Sequence, residues 1–331
     1  MKWIHKAGKI VLGGAVAAGA VLASVASPAA EPAFPDGGVV KIIVPFSPGG
    51  PTDGLVRIIQ QDLQKVWTGS NLIIDYKAGA DTIIGTDYVA KSAPDGRTLG
   101  VVVTAHTINP SLHSKMPYDT TKDLAGVTQL VNTPLALVTY AKAPFNTVPE
   151  LIAYAKKHPG TLTYGTPGSG TSTHLAGELF KTAAGIDLAH IPYKGSAPAQ
   201  IDLVAGRVDV MFDVFSSVLP FVKSGKLKVL GLSLDHRLPN YEQYPAIAET
   251  IPHFNVSSVI GVVAPAGTPK PVLMQIQSGF AKAMNEQDVK DRLASFAMER
   301  VASTPEQFDA LIQSEITRWG KIVKANHIHA D

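Results

Sequence analysis

The sequence predicts an α/β protein of two lobes, each a mainly parallel sheet flanked by helices. Apolar strand-like runs alternate with amphipathic helical stretches, the pattern of βα units that feed parallel sheets. One compound element also occurs twice: an apolar strand, a turn rich in Gly, Pro, Ser and Thr, then a helix, at Val40 to Asp53 and again at Thr161 to His174. A chain of 331 residues holds one αβ lobe with much to spare, so two lobes fit it better.

The first element is a leader. Lys2, Lys6 and Lys9 precede an uncharged run from Ile10 to Val25, followed by small residues and then Glu31 and Pro32. A basic start, a short Ala- and Gly-rich apolar stretch and a small-residue exit describe a cleaved secretory signal peptide over residues 1–29, with cleavage after Ala26 or Ala29. The alternative is an uncleaved anchor, a helix that Gly13, Gly14 and Gly19 would weaken. The mature chain is expected to be soluble outside the cytoplasm.

Composition narrows the chemistry. With no cysteine there is no disulfide framework, thiolate metal site or catalytic thiol. Losing three lysines with the leader turns 29 basic residues into 26, against 27 acidic ones, which leaves no basic footprint for nucleic acid.

Strands are expected at Val40 to Phe46, Asn71 to Tyr76, Leu99 to Ala105, Leu135 to Tyr140, Leu162 to Gly165, Ala189 to Tyr193, Val208 to Val214, Lys228 to Ser233 and Val256 to Ala264. Leu55, Ile58, Ile59, Leu63, Val66 and Trp67 mark a buried helix face, as do Leu175, Leu179, Phe180 and Ala183. Two more helices run from Val272 to Met284 and from Pro305 to about Asn326. Leu135 to Tyr140 and Val256 to Ala264 suit strands that cross between lobes. The second lobe, 136–257, is then an insertion in the first, which takes 34–135 and 258–331.

Each Gly-rich turn would aim unpaired backbone N–H groups and the positive end of a helix dipole at whatever sits above it. Two such anion seats suggest a clamp for a carboxylated small molecule. In the first turn Pro48, Gly49, Gly50 and Pro51 force a tight path, and Thr52 or Asp53 can cap the helix. Asp53 and Arg57 stand four apart, spaced for a helix ion pair, so Asp53 either caps and pairs or meets the ligand. In the second turn Gly168 and Gly170 allow close approach, and Ser169, Thr171, Ser172 and Thr173 offer hydroxyls. No Gly-Lys-Ser/Thr follows, and the Rossmann glycine spacing is absent.

Asp213, at the carboxyl end of its strand, either accepts from a ligand amine or hydroxyl or caps the helix starting near Ser216. His106, after the third strand, is a rim candidate or a plain loop histidine. Enzyme signatures are missing: no Gly-x-Ser-x-Gly elbow, no His-Glu-x-x-His zinc site and no Ser-x-x-Lys arrangement. His327 and His329 read as a solvated tail, and no cofactor or metal is expected.

Six segments in order carry a family likeness: Pro45-Phe-Ser-Pro-Gly-Gly-Pro-Thr-Asp53, Ala93-Pro-Asp-Gly-Arg-Thr-Leu99, Gly168-Ser-Gly-Thr-Ser-Thr-His-Leu-Ala-Gly-Glu-Leu-Phe180, Pro192-Tyr-Lys-Gly-Ser196, Gly206-Arg-Val-Asp-Val-Met-Phe-Asp213 and Ala264-Pro-Ala-Gly-Thr-Pro269. Through them the chain resembles the extracytoplasmic solute receptors of tripartite tricarboxylate transporters, the Bug or TctC-like family. The resemblance implies a monomeric periplasmic binding protein whose two lobes, joined by crossing-strand hinges, close on a small carboxylate. That ligand is an aliphatic dicarboxylate, an aromatic carboxylate or an acidic amino acid, delivered to a membrane transporter of one large and one small subunit. A sensor subunit reporting to a membrane kinase is the alternative partnership, and a secreted hydrolase a third class.

Matching positions nominate Ser47, Gly49, Gly50, Thr52, Ser169, Thr171, Ser172, Thr173 and Asp213 as ligand contacts, with Asp53 and His106 added from the residue reading. Two departures stand out. Where members commonly carry Gly-Ala-Gly-Gly-Asn-Ile-Gly, this chain has Gly79-Ala-Asp-Thr-Ile-Ile-Gly85. Val259 and Ile260 also replace an aromatic pair before Gly261.

Overall fold

The computed structural model describes residues 37–326 continuously, together with Met1, Trp3, Phe34, Pro35 and Ile328. The leader expected over 1–29 lies almost wholly outside the described residues, and His327 and His329 lie entirely outside them. Among the described residues no helix is long and apolar enough to cross a membrane.

The chain runs β1 (Gly38–Val44), α1 (Pro51–Val66), β2 (Ser70–Tyr76), α2 (Ile83–Ala90), β3 (Thr98–Val103), α3 (Ala105–Leu112) and β4 (Leu124–Tyr140). It continues through α4 (Val148–Lys157), β5 (Thr163–Thr166), α5 (Ser172–Ala184), β6 (Ala189–Pro192), α6 (Ser196–Val204), β7 (Val210–Val214), α7 (Phe215–Lys223) and β8 (Leu227–Leu232). It closes with β9 (Ser257–Pro265), α8 (Lys270–Ala283), α9 (Gln287–Ser295), β10 (Glu299–Arg300) and α10 (Pro305–Ala325).

Helix boundaries follow local chemistry. Gly50 enters α1 in an extended conformation with Pro51 just inside, where a missing N–H costs nothing. Thr147 and Thr171 cap α4 and α5 through their hydroxyls, and α5 stops at Gly185 in the left-handed region. Thr304 and Gln307 form a capping box at the start of α10.

Two parallel trios form the heart of the structure. Strands β2, β1 and β3 pair in parallel, and so do β6, β5 and β7. The long strand β4 links them. Its first part, Leu124 to Pro134, pairs antiparallel with β9, and its last part, Leu135 to Tyr140, pairs antiparallel with β7 and β8. The change of partners falls at Pro134, which has no N–H to give to a ladder. The mainly parallel expectation holds for each trio, while the strands that join them run antiparallel. β4 begins well before the expected Leu135, because pairing with β9 carries Gly126, Gln129 and Asn132 into a strand that their own propensities do not favour.

Period-two alternation sorts the core. Leu135 and Leu137 face one cluster with Tyr164, Phe180, Phe212 and Trp319, while Ala136 and Val138 face another with Met211, Phe215 and Leu232. Val40, Ile42 and Val44 likewise meet Leu55, Ile59, Leu63 and Trp67, and Ile43 points to the opposite side. Each such fully buried large side chain contributes about 1.5–3 kcal/mol. Helix α10 serves both regions: Phe308 and Ile312 pack beside Ile43 and Val102, and Trp319 and Val323 join the Leu135 cluster.

Candidate functional site

A cleft of about 460 Å³ lies where the carboxyl ends of β1, β3 and β5 hand over to their turns and helices. Its polar wall is the second Gly-rich turn, with Gly168, Ser169, Gly170, Thr171 and Ser172 all lining it. Thr104 and Ala105, at the start of α3, and Asp81 and Thr82, ahead of α2, also line it. The apolar part is supplied by Phe46, Val103, Ile108 and Leu112.

Most polar groups of the second turn are engaged within the turn itself. Thr171 Oγ1 donates to the Gly168 carbonyl at 2.8 Å and lies 2.9 Å from Thr173 Oγ1, so Thr173 becomes the donor of that pair. Gly170 N–H donates to His174 Nδ1 at 3.0 Å. His174 stacks on His190 with centroids 3.9 Å apart, and His190 Nε2 lies 2.7 Å from Thr166 Oγ1 at the end of β5. These contacts hold the loop in one shape. Ser169 and Ser172 line the cleft without a hydrogen bond inside the turn, and of the first-turn N–H groups of α5 that of His174 is taken by Thr171 Oγ1. Gly170 sits at φ +73, and a Cβ there would come within 2.7 Å of the Leu112 side chain, so any other residue here is strained and must displace Leu112.

The first turn is built differently. Asp53 is buried, and its carboxylate accepts from Gly49 N–H at 2.8 Å, from Arg57 Nε at 2.9 Å and from Tyr76 Oη at 2.6 Å. Burial raises its pKa, but hydrogen bonds from Tyr76, Gly49 and Arg57 together outweigh that and leave it below the ordinary carboxylate value. Asp53 thus folds the turn back on α1, and Gly49 N–H is already committed. Of this segment only Phe46 lines the cleft cavity: Ser47 and Gly49 are exposed beside it, Gly50 caps α1, and Thr52 and Asp53 are buried.

Two expectations change. His106 is not a rim residue: β3 ends at Val103 and turns directly into α3, so Thr104 and Ala105 hold the rim and the His106 ring swings into the interior. There it is 1 % exposed, both ring nitrogens lack a hydrogen-bond partner among the described residues, and burial pulls its pKa down to about 4. It borders a separate cavity of about 330 Å³ with Thr120, Lys122 and Asp309. Asp213 does not cap the helix that follows it. Its buried carboxylate accepts from Ser196 Oγ at 3.0 Å, Gln200 Nε2 at 2.7 Å and Val214 N–H at 2.8 Å, tying β7 to the first turns of α6. Desolvation pushes its pKa up, against those same bonds.

The residues brought together in the cleft are therefore Ser169, Thr171 and Ser172, with Thr173 directly behind. Residue reasoning missed the start of α3. Thr104, an N-cap residue type at the end of an apolar run, was the available signal. The loop before α2, singled out by its departure from the family pattern, does line the cleft, but nothing local announced its backbone: Ala80, Asp81 and Thr82 have φ of 45, 50 and 76. A left-handed backbone costs non-glycine residues roughly 1–2 kcal/mol each. Here it is held in place by Asn109, whose Nδ2 donates to the Asp81 carbonyl at 2.8 Å.

Comparison with known proteins gives a consistent picture. Residues 55–328 match the model of the tripartite tricarboxylate transporter family receptor, TctC. The periplasmic binding protein BugD superposes with a TM-score of 0.74 at 28 % identity, over 90 % of this chain and all (100 %) of that one. Rpa4515 of R. palustris, solved with adipate, gives 0.77 at 31 % identity, over 90 % of this chain and 99 % of that one. MatC from Rhodopseudomonas palustris, solved with bound malate, gives 0.71 at 30 % identity, over 88 % of this chain and 100 % of that one.

Proposed function

Because the chain belongs to the TctC family of tripartite tricarboxylate transporter receptors, periplasmic solute-binding proteins and not enzymes, we propose that it captures a small carboxylate in the cleft and delivers it to a membrane transporter of one large and one small subunit. The observation that carries this reading is the convergence on one cleft of the α3 and α5 N-termini with the Ser169 and Ser172 hydroxyls, and with no side-chain cation among the lining residues. Such a wall recognises a carboxylate through neutral donors and helix ends.

The energetics suffice. Hydrogen bonds to a charged group contribute about 1.5–3 kcal/mol each, so three or four, less desolvation and closure, leave micromolar affinity of about 8 kcal/mol. In this reading the lobes are 34–135 with 258–331, and 136–257, with α10 lying along both. Closure bends the crossing segments near Pro134 and Ser257 and brings the first turn, with Ser47, Gly50 and Thr52, toward the bound carboxylate. A leader over 1–29 accounts for export. The adipate and malate of the two relatives define the size range to screen.

The test is a thermal-shift screen of the purified mature protein, freed of co-purified ligand, against aliphatic dicarboxylates, aromatic carboxylates, hydroxy acids and acidic amino acids. Binding only to the folded form adds about 2.7 kcal/mol at a hundredfold excess over Kd. A saturable shift confined to one class supports the receptor and names its ligand class, whereas silence across all classes removes the reading.

A further inference from the structure

Asp81 is the one ionisable side chain among the residues lining the cleft. Every other polar group there is a neutral hydroxyl, amide or backbone N–H, and no lysine or arginine lines the wall to offset a carboxylate. The Asp81 side chain is 68 % exposed, and its Oδ2 lies 3.5 Å from His113 Nε2 at the far end of α3. The loop that carries it is held in a left-handed backbone through Ala80, Asp81 and Thr82, and the Asn109 amide clamps its carbonyl. Aspartate and threonine adopt these backbone angles at a cost that glycine would not bear. The loop thus sets a carboxylate side chain, where glycine would leave bare backbone, beside an anion seat.

From this we infer that Asp81 is a specificity-determining residue. The ligand presents a hydrogen-bond donor, a hydroxyl or an ammonium group, to Asp81, and its carboxylate to the donors of Ser169, Ser172 and the helix ends. This deepens the receptor reading and rests on it. A plain dicarboxylate would bring a second anion toward Asp81, where no lysine or arginine lines the wall and His113 is the nearby basic group, and like charges brought together as the cleft closes repel. A hydroxy or amino acid instead gives Asp81 a partner and leaves a single carboxylate for the helix ends. Phe46, Val103, Ile108 and Leu112 give an apolar middle of the ligand a place to lie.

The experiment is calorimetric titration of the mature protein with three compounds of equal chain length: adipate, the matching terminal hydroxy acid and the matching terminal amino acid. The wild type, Asp81→Asn and Asp81→Gly are compared. Both variants suit the left-handed backbone, glycine without cost and asparagine with little, so the loop keeps its shape. The expected result is a wild-type preference of about tenfold for the hydroxy or amino acid over adipate, with adipate gaining about fivefold to tenfold in both variants. Adipate binding the wild type as tightly as its partners, or a preference unchanged in both variants, overturns the inference and leaves the receptor reading standing. Absence of binding by all three, together with a silent carboxylate screen, overturns both.

Discussion

The carboxylate of Asp53 accepts the backbone N–H of Gly49 at 2.8 Å, closing the first turn onto the helix that follows it. Tyr76 and Arg57 converge on the same carboxylate, so one buried aspartate organises turn, helix and strand. Asp53→Asn keeps the shape but turns one acceptor into a donor facing other donors. It should lower stability by about 1–3 kcal/mol, read as a drop in the urea midpoint at constant slope. The folded pKa lies below the ordinary carboxylate value, so the stabilisation is complete above that value and is lost as pH falls toward and through the folded pKa. Wild type and variant should therefore converge in stability under acid; a constant gap would contradict this role.

His106 predicts a second acid dependence, at higher pH. Its folded pKa of about 4 lies below the ordinary 6.5, so stability is complete above about 6.5 and declines as pH falls from there toward 4. The loss reaches about 3 kcal/mol at most. His106→Leu should flatten the stability profile between those limits and leave ligand affinity within about twofold, since the ring lies away from the cleft. An unchanged profile would show that another group titrates there.

Asp213 has the opposite sign. Its folded pKa is raised, so its contribution is greatest below the ordinary carboxylate value and is lost as pH rises through the folded pKa. Asp213→Asn should remove that dependence and, by disturbing the Ser196 and Gln200 contacts, shift stability by about 1–2 kcal/mol. Because Asp213 is saturated by its own chain, carboxylate affinity should change little, and a loss of more than tenfold would instead place it in the site.

Gly170→Ala puts a Cβ within 2.7 Å of Leu112 at a backbone angle of φ +73. The strain should cost about 1–3 kcal/mol and also displace the serines on either side. Thermal melting and ligand titration should therefore fall together, and retained affinity in a destabilised variant would separate the turn's shape from binding.

What the sequence disclosed tracks what is local. The two Gly-rich turns were legible because proline, glycine and N-cap residues spell out a strand-to-helix turn without help from the rest of the chain. The first part of β4 was not, because Gly126, Gln129 and Asn132 become strand only when β9 supplies the partner. His106 reads as a rim or loop histidine because Thr104 and Ala105 extend the apolar run of β3, concealing a helix start that tertiary packing decides. The Asp81 loop was visible as a departure from the family pattern. Its left-handed backbone depends on Asn109, 28 residues away, which no local pattern reports.

In the proposed receptor a carboxylate is held at the second turn by the Ser169 and Ser172 hydroxyls. The most direct measurement is calorimetric titration of a confirmed carboxylate ligand into wild type and into the Ser169→Ala, Ser172→Ala double variant. Both hydroxyls lack structural partners in the turn, so the variant should melt within a few degrees of wild type. A weakening of about a hundredfold or more, the scale of two hydrogen bonds to a charged group, is the predicted result. Equal affinity in a folded double variant would rule out the two serines as ligand contacts and move the ligand to another wall of the protein.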